Sequence, residues 1–141
     1  MLNWVKYTEG PIPRGAVIAG NTKDGQKLFV GRADHQGEIL PAKVISRGCA
    51  FVPHGGVEHI KFDFEVLCNA PVSWQPGAFG NVPPKALPVG VTSSPEPLYY
   101  GRVIHDGALI PGKIQPSLRK CFVPYGGKEL LFDMYEVLVL K

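Results

Sequence analysis

The feature that most constrains this chain is that it contains the same unit twice. Shifted by 70 positions against itself, the sequence brings Trp4 onto Trp74, Gly10 onto Gly80, Pro13 onto Pro83 and Ala16 onto Ala86. Gly20, Thr22, Leu28, Gly31, Arg32, His35, Gly37, Pro41 and Lys43 then fall on Gly90, Thr92, Leu98, Gly101, Arg102, His105, Gly107, Pro111 and Lys113 without a gap. One residue is inserted near Leu118. Beyond it, FVPHGGVE from Phe51 meets FVPYGGKE from Phe122, and FEVL from Phe64 meets YEVL from Tyr135. The 22 identities over about 70 residues set the unit of folding before any secondary structure is considered.

Within each copy the periodicity is that of strands. Residues 16–21, 27–34, 38–45, 50–53 and 62–68 are short aliphatic and aromatic runs, and 86–91, 97–104, 108–115, 121–124 and 133–140 repeat them. Lys23-Asp24-Gly25 and His35-Gln36-Gly37 separate such runs, and glycine there supplies the positive φ of a tight hairpin turn. No window keeps apolar residues at i, i+3, i+4 and i+7 over three turns, so almost no helix is predicted. The 17 glycines and 14 prolines therefore punctuate a folded chain, because 45 % hydrophobic residues suffice for a core. The fold class is all-β: two tandem repeats, 1–70 and 71–141, related by a pseudo-twofold axis. Five strands are too few to bury both faces of a sheet, so the copies are expected to share one core. Segment 70–85 resembles a linker in its Pro and Gly, but it aligns with the N-terminal arm and opens the second repeat. Trp4 and Trp74 are expected in the core or at the seam.

Composition narrows the function classes. Fifteen Lys+Arg against 12 Asp+Glu, with no basic stripe, do not point to nucleic acid. No apolar window reaches membrane-spanning length and the first residues lack the apolar run of a signal peptide, so a cytoplasmic protein, or one secreted without a leader, is expected. Cys49, Cys68 and Cys121 are odd in number and lack CxxC spacing, which favours reduced thiols over a disulfide framework. The four histidines and three scattered cysteines have no zinc-ligand spacing, and neither a metal nor a cofactor is expected. His54-Gly55-Gly56 resembles an esterase oxyanion loop, but no G-x-S-x-G elbow accompanies it and the second copy has Tyr125 at that position. Glu58-His59 lacks H-E-x-x-H spacing, and no phosphate-binding glycine loop is present. The chain reads as a non-enzyme.

The ordered elements W, GR, H-x-G, P-x-K, FVP-x-GG-x-E and (F/Y)EVL, present twice over the whole chain, resemble the DM-nine repeat family, which occurs in invertebrates and in fish toxin-like, natterin-like proteins. The resemblance implies an all-β fold of two intertwined repeats. It further implies a calcium-independent, mannose-recognising lectin of innate immunity, often a homodimer. In such lectins the sugar is held by the lysine of the P-x-K element and by an acidic residue after the Ala-Gly pair of the first repeat. The lysine matches Lys43. After Ala19-Gly20 this chain has Asn21-Thr22, and the nearest carboxylate is Asp24.

The chemistry of such a site is plain. A pyranose presents vicinal hydroxyls, which bridge an ammonium that only donates and a carboxylate that only accepts. Glu38 lies five residues from Lys43, on the opposite face of an alternating strand unless Pro41 marks a bulge, so Asp24 or Asn21 across the hairpin is the better partner. The expected sugar site is Lys43, Asn21, Thr22, Asp24 and Glu38. A second, weaker site is expected at Lys113, Thr92 and Asp106, where Ala108 replaces Glu38. Arg32 and Arg102 are expected to pair with Glu65 and Glu136, and Glu58 and Glu129 to tie down glycine turns. The leading expectation is thus a mannose-type glycan-binding protein; the alternative is an interaction or toxin-associated scaffold without sugar affinity.

Overall fold

The computed structural model describes residues 2–141 and places fourteen strands in them. They are β1 (Asn3–Lys6), β2 (Ile18–Asn21), β3 (Lys27–His35), β4 (Glu38–Ile45), β5 (Cys49–His54), β6 (Val57–Lys61) and β7 (Glu65–Cys68), followed by β8 (Val72–Ala78), β9 (Pro88–Val91), β10 (Pro97–His105), β11 (Ala108–Gln115), β12 (Lys120–Tyr125), β13 (Lys128–Phe132) and β14 (Met134–Leu140). The predicted hairpins are present, with Gln36-Gly37 and Asp106-Gly107 at positive φ in the β3–β4 and β10–β11 turns. The inserted residue lies in a 3₁₀ turn, Pro116–Leu118, which ends on Arg119 in the left-handed region. No helix among the described residues is long and apolar enough to cross a membrane.

The two copies interleave. β3 pairs with β2, β2 with β11, β11 with β10, β10 with β9, β9 with β4, and β4 with β3 again, which closes a six-stranded barrel of three strands from each repeat. Closure removes the open edges that a half-barrel would expose. The crossings are made by Leu109 opposite Asn21 and, at the mate position, Ile39 opposite Val91. Outside the barrel, β7 and β1 extend β3, while β14 and β8 extend β10. Hairpins β5–β6 and β12–β13 extend β4 and β11, and their tips meet where Val57 faces Lys128.

The expected single core is three clusters. One belongs largely to the first copy around Leu40, Val44 and Val66, and one to the second around Ile110, Ile114 and Val137. The third is shared: Ala19, Val30 and Leu67 pack with Leu87, Val89, Tyr100 and Leu138. Each fully buried aliphatic chain of this kind contributes about 1.5–3 kcal/mol. Tyr100 ties the seam with its hydroxyl, which donates to Ala42 O at 2.7 Å. Trp4 and Trp74 pack against the shared cluster, as expected for seam residues. Their outer faces are covered by Arg32 and Arg102, at 4.1 and 3.9 Å from the ring centres, and these arginines donate to Glu65 and Glu136 at 2.7 and 2.8 Å.

Candidate functional site

Lys43 points inward from β4 and its side chain is 11 % exposed. Its ammonium donates to Glu58 Oε2 at 3.0 Å and to Pro124 O, on the other copy, at 2.7 Å. Glu58 in turn accepts from Gly127 N at 2.9 Å, and its mate Glu129 accepts from Gly56 N at the same distance. Each carboxylate does secure a glycine turn, but the turn belongs to the opposite repeat. Backbone bonds Glu58 N to Gly127 O and Glu129 N to Gly56 O complete a reciprocal clasp between the two Gly-Gly tips.

Above this ion pair opens a cavity of about 330 Å³, within the range of small-ligand sites. It is lined by Asn21, Thr22, Lys23, Asp24, Lys43, Phe51 and Glu58 of the first copy and by Ala108, Ile110 and Tyr125 of the second. Four of the five residues expected from sequence are thus together. Asn21 donates through Nδ2 to Thr22 O, leaving its Oδ1 as an acceptor. The Thr22 hydroxyl donates to Asp24 at 2.6 Å, and that bond first, then the Asp24 backbone, holds the Asp24 carboxyl below its usual range. The charged acceptor beside Lys43 is not Asp24 but Glu58, which the sequence offered as a turn residue. Tyr125 and Phe51 are further members, with ring centres 5.9 and 5.4 Å from the ammonium.

Two residues fall in the opposite copy's site from the one expected. Glu38, expected beside Lys43, lies 3.5 Å from His54 Nε2 and accepts from Ser93 N at 3.1 Å, on the second-copy side. Asp106, expected beside Lys113, accepts from the Tyr125 hydroxyl at 3.0 Å and faces Lys23 at 3.9 Å, at the mouth of the first. Both corrections have one cause. The β2–β11 and β9–β4 crossings carry each hairpin tip to the turn of the other repeat, so neighbours in sequence separate in space. The bond from Tyr125, then burial, raises the Tyr125 phenol.

At the second copy Lys113 is 6 % exposed and faces Glu129 at 3.4 Å. Thr92 is also buried; its hydroxyl bonds Ser94 Oγ at 3.0 Å and accepts from Glu96 N at 2.8 Å, which holds it inside its own turn. Of the expected trio, Lys113 and Thr92 are buried and Asp106 is elsewhere.

The cysteines are free thiols, and burial pushes Cys49, Cys68 and Cys121 upward, away from thiolate reactivity. His35, His54 and His59, which show no motif spacing, come together beside β5 and β6. Burial first, then Lys61 and the two neighbouring imidazoles, lowers His35 to about 4.

No curated protein matches the chain. Among solved structures, the nematode sperm cell motility protein MFP2B superposes with a TM-score of 0.72 at 18 % identity, over all of this chain and 47 % of that one. The likeness is one of fold, and this chain spans about half of that protein. The matched family is defined by a repeat and is not an enzyme family. The DM9 repeat model matches residues 1–45 and residues 23–132, which with the duplicated GR, P-x-K and FVP-x-GG-x-E elements means that the chain belongs to the DM9 repeat family.

Proposed function

We propose that the chain is a calcium-independent, non-enzymatic glycan-binding protein that takes a mannose-type pyranose in the cavity above Lys43. The observation that carries this is the pairing of a charged donor and a charged acceptor, Lys43 and Glu58 at 3.0 Å, within a cavity that also gathers Asn21, Thr22 and Asp24. An ammonium has three donors, and Lys43 directs two at the protein, so one is left for a sugar hydroxyl. Glu58 has accepting capacity on both oxygens beyond its two bonds. Phe51 and Tyr125 supply apolar surface for the C–H face of the ring. Recognition in innate immunity as a homodimer follows from the family resemblance and belongs to the same proposal.

Isothermal titration with methyl mannoside in EDTA tests it. Wild type is expected to bind one sugar, and Lys43→Ala to lose it while keeping its circular dichroism spectrum. Asn21→Ala, on the first-copy side of the cavity, is expected to weaken binding about tenfold, the equivalent of about 1.4 kcal/mol. Unchanged affinity in both variants rejects the site.

A second reading, an interaction scaffold without sugar affinity, is favoured by exposed apolar side chains. Ile60 on β6, Phe62 beside it and Leu131 on β13 are 50, 66 and 55 % exposed, and MFP2B is described as a motility protein. A flat wild-type titration selects this reading.

A further inference from the structure

Three histidines remote in sequence converge on one flank of the first copy. His35 ends β3, His54 ends β5, and His59 stands on β6 opposite Val52. Val52 and His54 are two residues apart on one strand, so strand alternation puts His54 and His59 on the same face of the hairpin. The ring centres are 4.3 Å apart for His35 and His59, 4.7 Å for His35 and His54, and 6.1 Å for His54 and His59. One nitrogen from each ring lies within 4.8 Å of the other two.

The hydrogen bonding is what marks the trio. His35 is 8 % exposed, yet its Nε2 has no partner among the described residues. A buried polar atom of that kind is ordinarily satisfied. His59 Nε2 lies 2.9 Å from His54 O, and a carbonyl only accepts, so that nitrogen carries the proton and Nδ1 keeps the lone pair. Glu38 Oε1 stands 3.5 Å from His54 Nε2. A carbonyl and a carboxylate on the far nitrogens are the outer partners that orient metal-bound imidazoles.

We propose that His35, His54 and His59 bind a divalent transition ion of the zinc type, with water completing the site and Glu38 orienting His54 from outside. Tetrahedral zinc with bonds of about 2.0–2.1 Å needs ligand nitrogens about 3.3 Å apart, so the rings need close by at most about 1.5 Å on binding. His54 and His59 are only partly buried and can turn to meet the ion. The charges facing the trio are Glu38, which favours the ion, and Lys61, which opposes it. The site belongs to one copy alone: the second copy keeps His105 but has Tyr125 and Leu130 at the positions of His54 and His59.

That difference supplies variants the fold already accommodates. The intact chain is titrated with Co²⁺, read by its visible absorption, and the ion is then displaced with Zn²⁺. One ion per chain is expected, together with a rise in melting temperature on adding Zn²⁺. His54→Tyr and His59→Leu should each weaken binding by at least tenfold, and Cys49→Ser should leave it unchanged. The proposal is overturned by a wild-type titration without a saturable single site, by a His59→Leu chain that binds as tightly as wild type, or by loss of binding in Cys49→Ser.

Discussion

Gly20 is where one repeat crosses the other, and replacing it by alanine should be among the most damaging single-methyl changes in the chain. A Cβ built there stands 2.1 Å from Leu109 O and 3.0 Å from Leu109 C. An ordinary carbon–oxygen contact is about 3.3 Å or longer, so β11 would have to withdraw by about 1.2 Å. The obstacle is backbone, held in the barrel by its pairings with β10, β12 and β2, and cannot rotate aside as a side chain would. Overpacking costs about 1–3 kcal/mol in general, and a rigid obstacle places this case near about 3. For a chain of this size that is about 10 °C in melting temperature. Gly25→Ala is the control, since its Cβ meets nothing within 4 Å and only φ +89° is at stake, at about 1–2 kcal/mol. Gly90 is the mate of Gly20, with Ile39 O at 2.1 Å, and should cost as much. Only Gly20→Ala, however, displaces Asn21 against Ala108 and Ile110, so only it should also weaken sugar binding. Thermal unfolding of the three variants by circular dichroism decides the matter. A Gly20→Ala melting point within about 3 °C of wild type would refute the close-approach argument.

Two further outcomes follow from buried groups. Burial pushes Tyr135 up to about 12 and raises Tyr100 as well, whereas both titrate near about 10 once unfolded, so their contribution is complete below about pH 10 and declines as pH rises toward about 12. Melting temperature should fall between about pH 10 and about pH 12, and less steeply in Tyr135→Phe; identical slopes for the two proteins would count against it. Glu129→Gln strands the buried Lys113 and should cost about 3 kcal/mol in urea unfolding, with Lys113→Met in the same chain recovering most of it; a loss under about 1 kcal/mol would show that the pair is not a closed ionic contact.

What could be read from sequence was whatever depends on local chemistry. Hairpins at Gln36-Gly37 and Asp106-Gly107 follow from residues that tolerate positive φ, and the pairing of Arg32 with Glu65 and of Arg102 with Glu136 follows from matched repetition. β6 and β13 were not legible, because VEHIK and KELLF put charged and apolar residues on both faces of exposed hairpin arms. β8 was hidden by Pro76 and Gly77, which it tolerates as a sheet edge bonded on one side only, to β14. Of the candidate site, Asn21, Thr22 and Asp24 could be placed together because they lie on one repeat, and Lys43 was pointed to by the family resemblance. It was illegible in Tyr125, Asp106 and the role of Glu58, because these depend on strand exchange, which leaves no periodicity in the chain. One signal was available. Glycines at 20 and 90 fall inside strands and have no positive φ, and a glycine that no turn requires marks a close backbone approach.

Exchange also explains why duplicated lysines need not give duplicated sites. Both copies keep the same inner clasp, Lys43 with Glu58 and Lys113 with Glu129, since each carboxylate also fastens the opposite glycine tip. What differs is the rim, which comes from the other repeat. Around Lys43 the rim is Ala108 and Tyr125, a small residue and a phenol turned aside to Asp106, which leaves the floor open. Around Lys113 the same positions are Glu38 and His54, and Glu38 reaches across to Ser93 N. The turn at 92–96 is fastened again from behind, because Glu96 accepts from Ser117 N and Oγ and from Gln115, contacts supplied by the 3₁₀ turn that holds the inserted residue. Those bonds, working against burial, hold the Glu96 carboxyl below its usual range. The first-copy turn has Gln26 in place of Glu96. Because each clasp fastens the opposite glycine tip, two lysines are retained whether or not two ligands bind, and the residues that decide openness are those that cross over from the other repeat.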